Sequence, residues 1–189
     1  MKSGTCQNAL PTVPKWIASE IDLAHAYPSP RAQVRLAIEL ARLNVEHATG
    51  GPFGAAVLTA DGHVVAVGVN RVEPLRSSLA HAEIIALVGA QQRLGRARLN
   101  GNGRRYTLAT SAQPCCQCYG ALIWAGLDAL VIGARSTDTQ ALAGFDEGPL
   151  PADWIDALTQ RGIAVTRDVE RAAACTVLAA YRARGGTQY

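Results

Sequence analysis

The chain places His81 and Glu83 two positions apart in Ala80-His81-Ala82-Glu83. Farther on it carries Pro114-Cys115-Cys116-Gln117-Cys118. One imidazole and two thiols make a zinc ligand set that lacks the fourth protein ligand of a closed structural site. The open corner takes water, which is the arrangement of a hydrolytic metal site. Zinc lowers the pKa of such a water to about 7, and a nearby carboxylate can take its proton and deliver it to a leaving nitrogen. His81, Cys115 and Cys118 are therefore the expected ligands of one Zn2+ per subunit, and Glu83 is the expected proton carrier. A structural clip would need a fourth ligand, and His25, His47 and His63 have no chelating spacing.

Those groups must be held by helix starts. Cysteines at i and i+3 share one helix face, and a proline just ahead suits the first turn. The positive helix end and the metal both lower a thiol's pKa, so Cys115 and Cys118 can ionise near neutrality. Cys116 points elsewhere, and it and Cys175 read as small buried apolar residues. Glu83, two positions after His81, would face away from it on an ideal helix. At an N-terminus both side chains lean toward the open end.

The rest of the chain supplies a scaffold. Residues 1–29 hold three of the nine prolines and read as an irregular arm, tied down by Trp16 and Ile17. A helix runs from Pro30 toward Gly50-Gly51. Phe53 to Ala60 and His63 to Asn70 are β-branched runs joined at Asp61-Gly62, a hairpin signal. A loose loop, Arg71 to Leu79, leads to a helix over Ala80 to Leu94, then a glycine-rich turn over Leu99 to Arg105. A strand over Tyr106 to Ser111 precedes the cysteine helix, Cys115 to Ala125, closed by Gly126. Leu127 to Ala134 is an apolar strand, and Ser136 to Leu150 reads as a mixed loop with one helical turn at most. A helix (Ala152 to Arg161), a strand (Ile163 to Arg167) and a last helix (Val169 to Arg184) follow. Alternating strands and helices imply a sheet layered by helices, in one domain spanning residues 30–189.

Composition narrows the setting. The net charge of +3 is mild, and the arginines are scattered apart from short clusters at Arg93-Arg96-Arg98 and Arg104-Arg105. A nucleic-acid track is not expected from them. No apolar run is long enough to span a bilayer. Five cysteines, an odd number with three clustered, argue against a disulfide framework. A cytoplasmic setting is expected.

The H-x-E…P-C-x-x-C arrangement is the signature of zinc-dependent deaminases. The chain resembles the cytidine deaminase-like superfamily and, within it, the bacterial guanine deaminase branch. The resemblance rests on Gly51-Pro52-Phe53-Gly54-Ala55-Ala56-Val57, Asn70-Arg71-Val72, Ala80-His81-Ala82-Glu83-Ile84, the cysteine motif, Gly120-Ala121-Leu122-Ile123-Trp124-Ala125 and Gly144-Phe145-Asp146-Glu147. It implies an α/β fold with three α/β/α layers and a mixed central sheet of about five strands. It also implies conversion of guanine to xanthine and ammonia, with amino-triazines such as ammeline as related substrates. Deaminases of cytosine and of adenosine in transfer RNA share the zinc motifs and remain alternatives, as does a non-catalytic zinc-stabilised module. Gly144-Phe145-Asp146-Glu147 resembles the guanine deaminase version.

The resemblance further implies site roles. Phe53 stacks on the base, Asn70 offers a donor and an acceptor, and the backbone near Ala82 offers N–H groups. Asp146 or Glu147 accepts base N–H groups, or Glu147 carries protons. In that branch the C-terminal segment is exchanged between two subunits, so Tyr189 is expected to close the pocket of a partner in a homodimer. One departure is visible: Gln113 stands where relatives carry glutamate.

Overall fold

The computed structural model describes residues 13–189. Helix α1 (Ile17–Glu20) is a single turn that buries Ile17. Helix α2 (Pro30–Glu46) starts where the side chain of Ser29 accepts a hydrogen bond from the Ala32 N–H at 3.2 Å, with proline in its first turn. Val34, Ala37, Ile38 and Ala41 recur at helical spacing and are all buried.

Strands β1 (Gly54–Thr59) and β2 (Val64–Val69) form the antiparallel hairpin that Asp61-Gly62 announces, with Gly62 at φ +86°. A short helix α3 (Val72–Leu75) leads to α4 (Ala82–Leu94). Then come β3 (Tyr106–Ala112), α5 (Cys116–Ala125), β4 (Ala129–Ala134), α6 (Ser136–Ala143), α7 (Trp154–Thr159), β5 (Ala164–Thr166) and α8 (Arg171–Ala183). The strands lie in the order β2-β1-β3-β4-β5. β1 pairs antiparallel with β2 and β3, whereas β3–β4 and β4–β5 are parallel, so the sheet is the expected mixed one.

Both faces of the sheet are covered, as the strand alternation requires. Ala55 and Val57 of β1 face a core shared with Ala82, Ala86 and Ala90 of α4 and Leu122 of α5. Ala56 and Leu58 face the opposite way, onto Leu36, Leu40 and Leu43 of α2. Farther along that second face, Val34 and Ile38 of α2 pack with Ala174, Val177 and Leu178 of α8. The result is three layers, helix–sheet–helix. No helix among the described residues is long and apolar enough to cross a membrane.

Three expectations are corrected. The stretch 71–79 is not simply a loop, because it contains α3. The stretch 136–150 holds more than one turn, since α6 runs from Ser136 to Ala143. A local cap and a distant partner both hold its first turn: Asp138 accepts from the Arg135 N–H at 2.8 Å and takes both Nε and Nη2 of Arg171 at 2.7 Å. Local propensity in Ser-Thr-Asp-Thr is weak, so this helix was invisible to periodicity. Cys116 is exposed and Cys175 only half-buried, so neither is the buried apolar residue expected. Cys116 is the first residue of α5 and turns outward there, against Gly148.

Two glycines set the distance between helices and sheet. A Cβ on Gly68 of β2 would lie 2.0 Å from the Ala82 carbonyl oxygen, so α4 rests directly on the strand backbone. A Cβ on Gly54 of β1 would lie 2.3 Å from the Ala37 carbonyl oxygen of α2. Gly68→Ala should push the start of α4 off the sheet, lowering stability by about 1–3 kcal/mol and carrying His81 out of register with the cysteines. Thermal melting and metal content measured together would check this, and an unchanged metal content would reject the positional role of Gly68.

Candidate active site

Two helix starts converge on one point. His81 is the residue that caps α4, in extended conformation with φ −71° and ψ 153°. Cys115 caps α5 in the same way, with φ −67° and ψ 176°. Neither side chain makes a capping hydrogen bond, and the two point at the same space. Cys118 sits in the first turn of α5 and is fully buried. His81 Nδ1 lies 3.4 Å from Cys115 Sγ and 3.6 Å from Cys118 Sγ. All three ligand atoms lie within 4.8 Å of one another.

These distances match a zinc tetrahedron. Bonds of about 2.3 Å to sulfur and about 2.0–2.1 Å to nitrogen give an S···N edge of about 3.6 Å. The electrostatics match as well. The hydrogen bond from Cys118 and the contact with His81 hold the Cys115 thiol down, at about 4, against the effect of burial. Cys118 is pushed up, because it donates to Cys115 and is buried beside that thiolate. Burial opposes the His81 imidazolium, yet Cys115 and Glu83 raise its pKa overall. Negative groups thus crowd a buried point with only one imidazole to balance them, and a dication supplies the missing charge. His81, Cys115 and Cys118 form the zinc-binding cluster of the chain.

A cavity of about 420 Å³, partly open to solvent, adjoins the cluster. Every predicted site residue lines it except Cys118, which lies behind. Glu83, the second residue of α4, is buried at 7% exposure, and its Oε1 lies 3.4 Å from Thr110 Oγ1 of β3. Burial and the nearby Cys115 raise its pKa. Glu147 is also buried, and desolvation with the charges of Cys115 and Glu83 lifts it to about 8. Ala82 opens α4, so its N–H has no acceptor within the helix. Asp146 is exposed at the cavity edge, with Oδ1 accepting from the Gly148 N–H at 2.9 Å.

Asn70 is buried at the end of β2. Its side-chain oxygen accepts from the N–H groups of Gly51 at 3.4 Å and Val72 at 3.3 Å. Its acceptor is thereby used inside the fold, and its amide nitrogen is the end left for a ligand.

Aromatic rings form the wall. Phe53 meets Phe145 edge-on at 5.1 Å, and Tyr189 lies tilted 4.9 Å from Phe145. Tyr189 is 38% exposed as a residue, but its phenol reaches inward to Gly51, where a Cβ would lie 2.2 Å from the hydroxyl. Burial raises the pKa of that phenol, so it stays protonated. The structure describes one chain, and within it Tyr189 lines the cavity of its own subunit.

Sequence reasoning missed Phe145 as a wall residue, although it stood inside the quoted Gly144-Phe145-Asp146-Glu147. An aromatic flanked by glycine and two acids in a loop was the available signal. Gln113, flagged only as a departure, also lines the cavity. Its N–H bonds to the Ala134 carbonyl at 2.9 Å, which ties the cysteine loop to β4.

The chain matches the cytidine and deoxycytidylate deaminase zinc-binding region over residues 29–134. It is 40% identical to the guanine deaminase of Bacillus subtilis over 114 residues, which are 60% of this chain and 69% of that protein. A solved structure of the guanine deaminase from Nitrosomonas europaea is 43% identical with a TM-score of 0.88, covering 95% of this chain and 100% of that one. Another structure, a variant in complex with 8-azaguanine, is 43% identical with a TM-score of 0.86, covering 92% of this chain and 96% of that one. The match to the family model covers more than half of the chain and holds His81, Cys115 and Cys118: the chain belongs to the zinc-binding cytidine and deoxycytidylate deaminase family.

Proposed function

We propose that this protein deaminates guanine hydrolytically, giving xanthine and ammonia. The observation that carries the reading is one cavity that joins the zinc ligands and two buried carboxyl groups to an aromatic wall and the amide of Asn70. Similarity to guanine deaminases over nearly the whole chain supports it.

Zinc held by His81, Cys115 and Cys118 supplies the Lewis acidity that makes water nucleophilic near neutral pH. Glu83 takes a proton from the attacking water and hands it to the amino nitrogen. Oxygen adds to the carbon, the carbon–nitrogen bond breaks, and guanine plus water becomes xanthine plus ammonia. Phe53 stacks on the base, supported edge-on by Phe145. The Asn70 amide nitrogen donates to the carbonyl oxygen, since its own oxygen is engaged by Gly51 and Val72. The free Ala82 N–H offers a second donor. Glu147, held mostly protonated by burial, relays protons at the ring nitrogens, and Asp146 accepts N–H groups at the rim. Amino-triazines such as ammeline present the same amino–carbon–nitrogen edge and suit the same contacts.

Tyr189 closes the cavity, and we infer that in a homodimer the segment that carries it crosses to the partner's pocket in place of its own-subunit position. The tail leaves α8 through Arg184, Gly185 and Gly186, and the Tyr181 hydroxyl donates to the Thr187 carbonyl at 2.7 Å. Trp124 at 79% exposure and Leu79 at 62% leave apolar surface for a second copy. A reducing, cytoplasmic setting keeps the two thiol ligands available.

Purified protein given guanine, ammeline, cytosine, cytidine and adenine should release ammonia from guanine foremost. Ammonia from neither guanine nor ammeline would remove the proposal. Glu83→Ala should retain zinc while kcat falls by on the order of a hundredfold or more. Wild-type turnover in that variant would reject the proton-carrier role. Chelation should abolish activity and lower the melting temperature, and zinc should restore both at one ion per chain. Mixing Glu83→Ala subunits with Tyr189→Ala subunits tests the exchange. If the tail crosses, one pocket of each mixed dimer regains both groups and activity returns. If each tail closes its own pocket, the mixture stays as inactive as its parts.

A further inference from the structure

We infer that Asn44, a fully buried residue of α2, is a positioning residue that sets the pocket donor of Asn70. The inference rests on the pocket reading above and concerns a residue outside the cavity lining.

Asn44 Nδ2 donates to two carbonyl oxygens at once, Gly51 and Asn70, each at 2.9 Å. These belong to separate segments, the turn after α2 and the residue that follows β2. One amide group therefore clamps together the two backbone strands that form this wall. The clamp is close-packed. A Cβ on Gly50 would lie 1.8 Å from the Asn70 carbonyl oxygen and 2.8 Å from Asn44 Nδ2.

The amide cannot rotate without loss. Asn44 Oδ1 accepts from the Thr49 hydroxyl at 2.8 Å, which fixes which end is the donor. Thr49 Oγ1 in turn accepts from Trp16 Nε1 at 3.0 Å, and the Thr49 carbonyl accepts from Arg71 Nη1 at 2.6 Å. Trp16 also stacks on His47 at 5.2 Å. The turn of the chain near α1 thus reaches the pocket through three side chains: Trp16, Thr49 and Asn44.

The consequence falls on Asn70. Its side-chain oxygen is oriented by the N–H groups of Gly51 and Val72, and the Asn44 clamp holds Gly51 and the Asn70 backbone in place. Without the clamp, those two N–H groups move relative to each other and the Asn70 amide loses its fixed direction. Binding of a carbonyl-bearing base then weakens, although no ligand contact has been deleted. The zinc ligands stand on α4 and α5 and are not part of this network.

A double-mutant cycle tests this, because a structural role alone does not couple to Asn70 in binding. The dissociation constant of 8-azaguanine is measured by calorimetry for wild type, Asn44→Ala, Asn70→Ala and the double variant, with zinc content as a control. Asn44→Ala should weaken binding about tenfold, the scale of one buried hydrogen-bonding group. In the Asn70→Ala background the same change should cost less than about twofold. Zinc content should stay at the wild-type level throughout. An equal loss in both backgrounds, or no loss in either, overturns the proposal. If Asn44→Ala does not fold, Thr49→Val frees the amide to turn and should give a smaller loss with the same dependence on Asn70. Should wild type fail to bind 8-azaguanine, the guanine reading falls, and the cycle is run with the base that the ammonia panel identifies.

Discussion

Two helices start at the same place, and the site depends on that. The caps of α4 and α5 are themselves the ligands His81 and Cys115, so neither helix can shift by a residue without losing the metal. The positive ends of both helices also point at thiolates and carboxyls, which suits negative charge. The sheet enforces the convergence. β2 presents Gly68 to the first turn of α4, and the parallel pair β3–β4 flanks the connection that carries α5. Placing an anionic site at the ends of strands beneath helix starts is a general habit of layered α/β folds.

The site concentrates negative groups in a dry place. Cys115, Glu83 and Glu147 face a partly enclosed cavity with Cys118 buried behind them, and among the groups that line it His81 alone carries a positive charge when protonated. Burial alone would protonate most of them, and the raised values of Glu83 and Glu147 show that pressure. A dication relieves it at the sulfurs. The two carboxyl groups stand beside the cluster rather than in it, and their raised affinity for protons suits the proton-carrying roles proposed for them. Metal binding and the proposed proton transfer thus draw on one charge imbalance.

Much of this was legible in the sequence, for reasons that differ by residue. His81, Cys115 and Cys118 were readable because ligand chemistry fixes both type and spacing. The hairpin at Asp61-Gly62 was readable because only certain residues make that turn. α6 was not, since one of the partners that hold it is Arg171, a residue 33 positions away from Asp138. Cys116 was misjudged because burial depends on which way a helix start faces, and composition carries no such information. Phe145 was overlooked because a loop aromatic becomes a wall only when Phe53 and Tyr189 arrive from other segments.

Asn44 shows the limit most clearly. Within α2 it is one polar residue on a helix whose inward face is otherwise largely apolar, and a sequence offers no reason to prefer it over any other asparagine. Its meaning appears only when Gly51 and Asn70 are seen to bring their carbonyls to the same amide. A buried amide with all its partners is costly to replace, whereas a buried amide with none would not survive in a core. Full satisfaction of a lone polar group between two pocket segments is therefore a signal in its own right. It marks where the fold spends specificity on holding a binding group still, one layer behind the residues that touch a ligand.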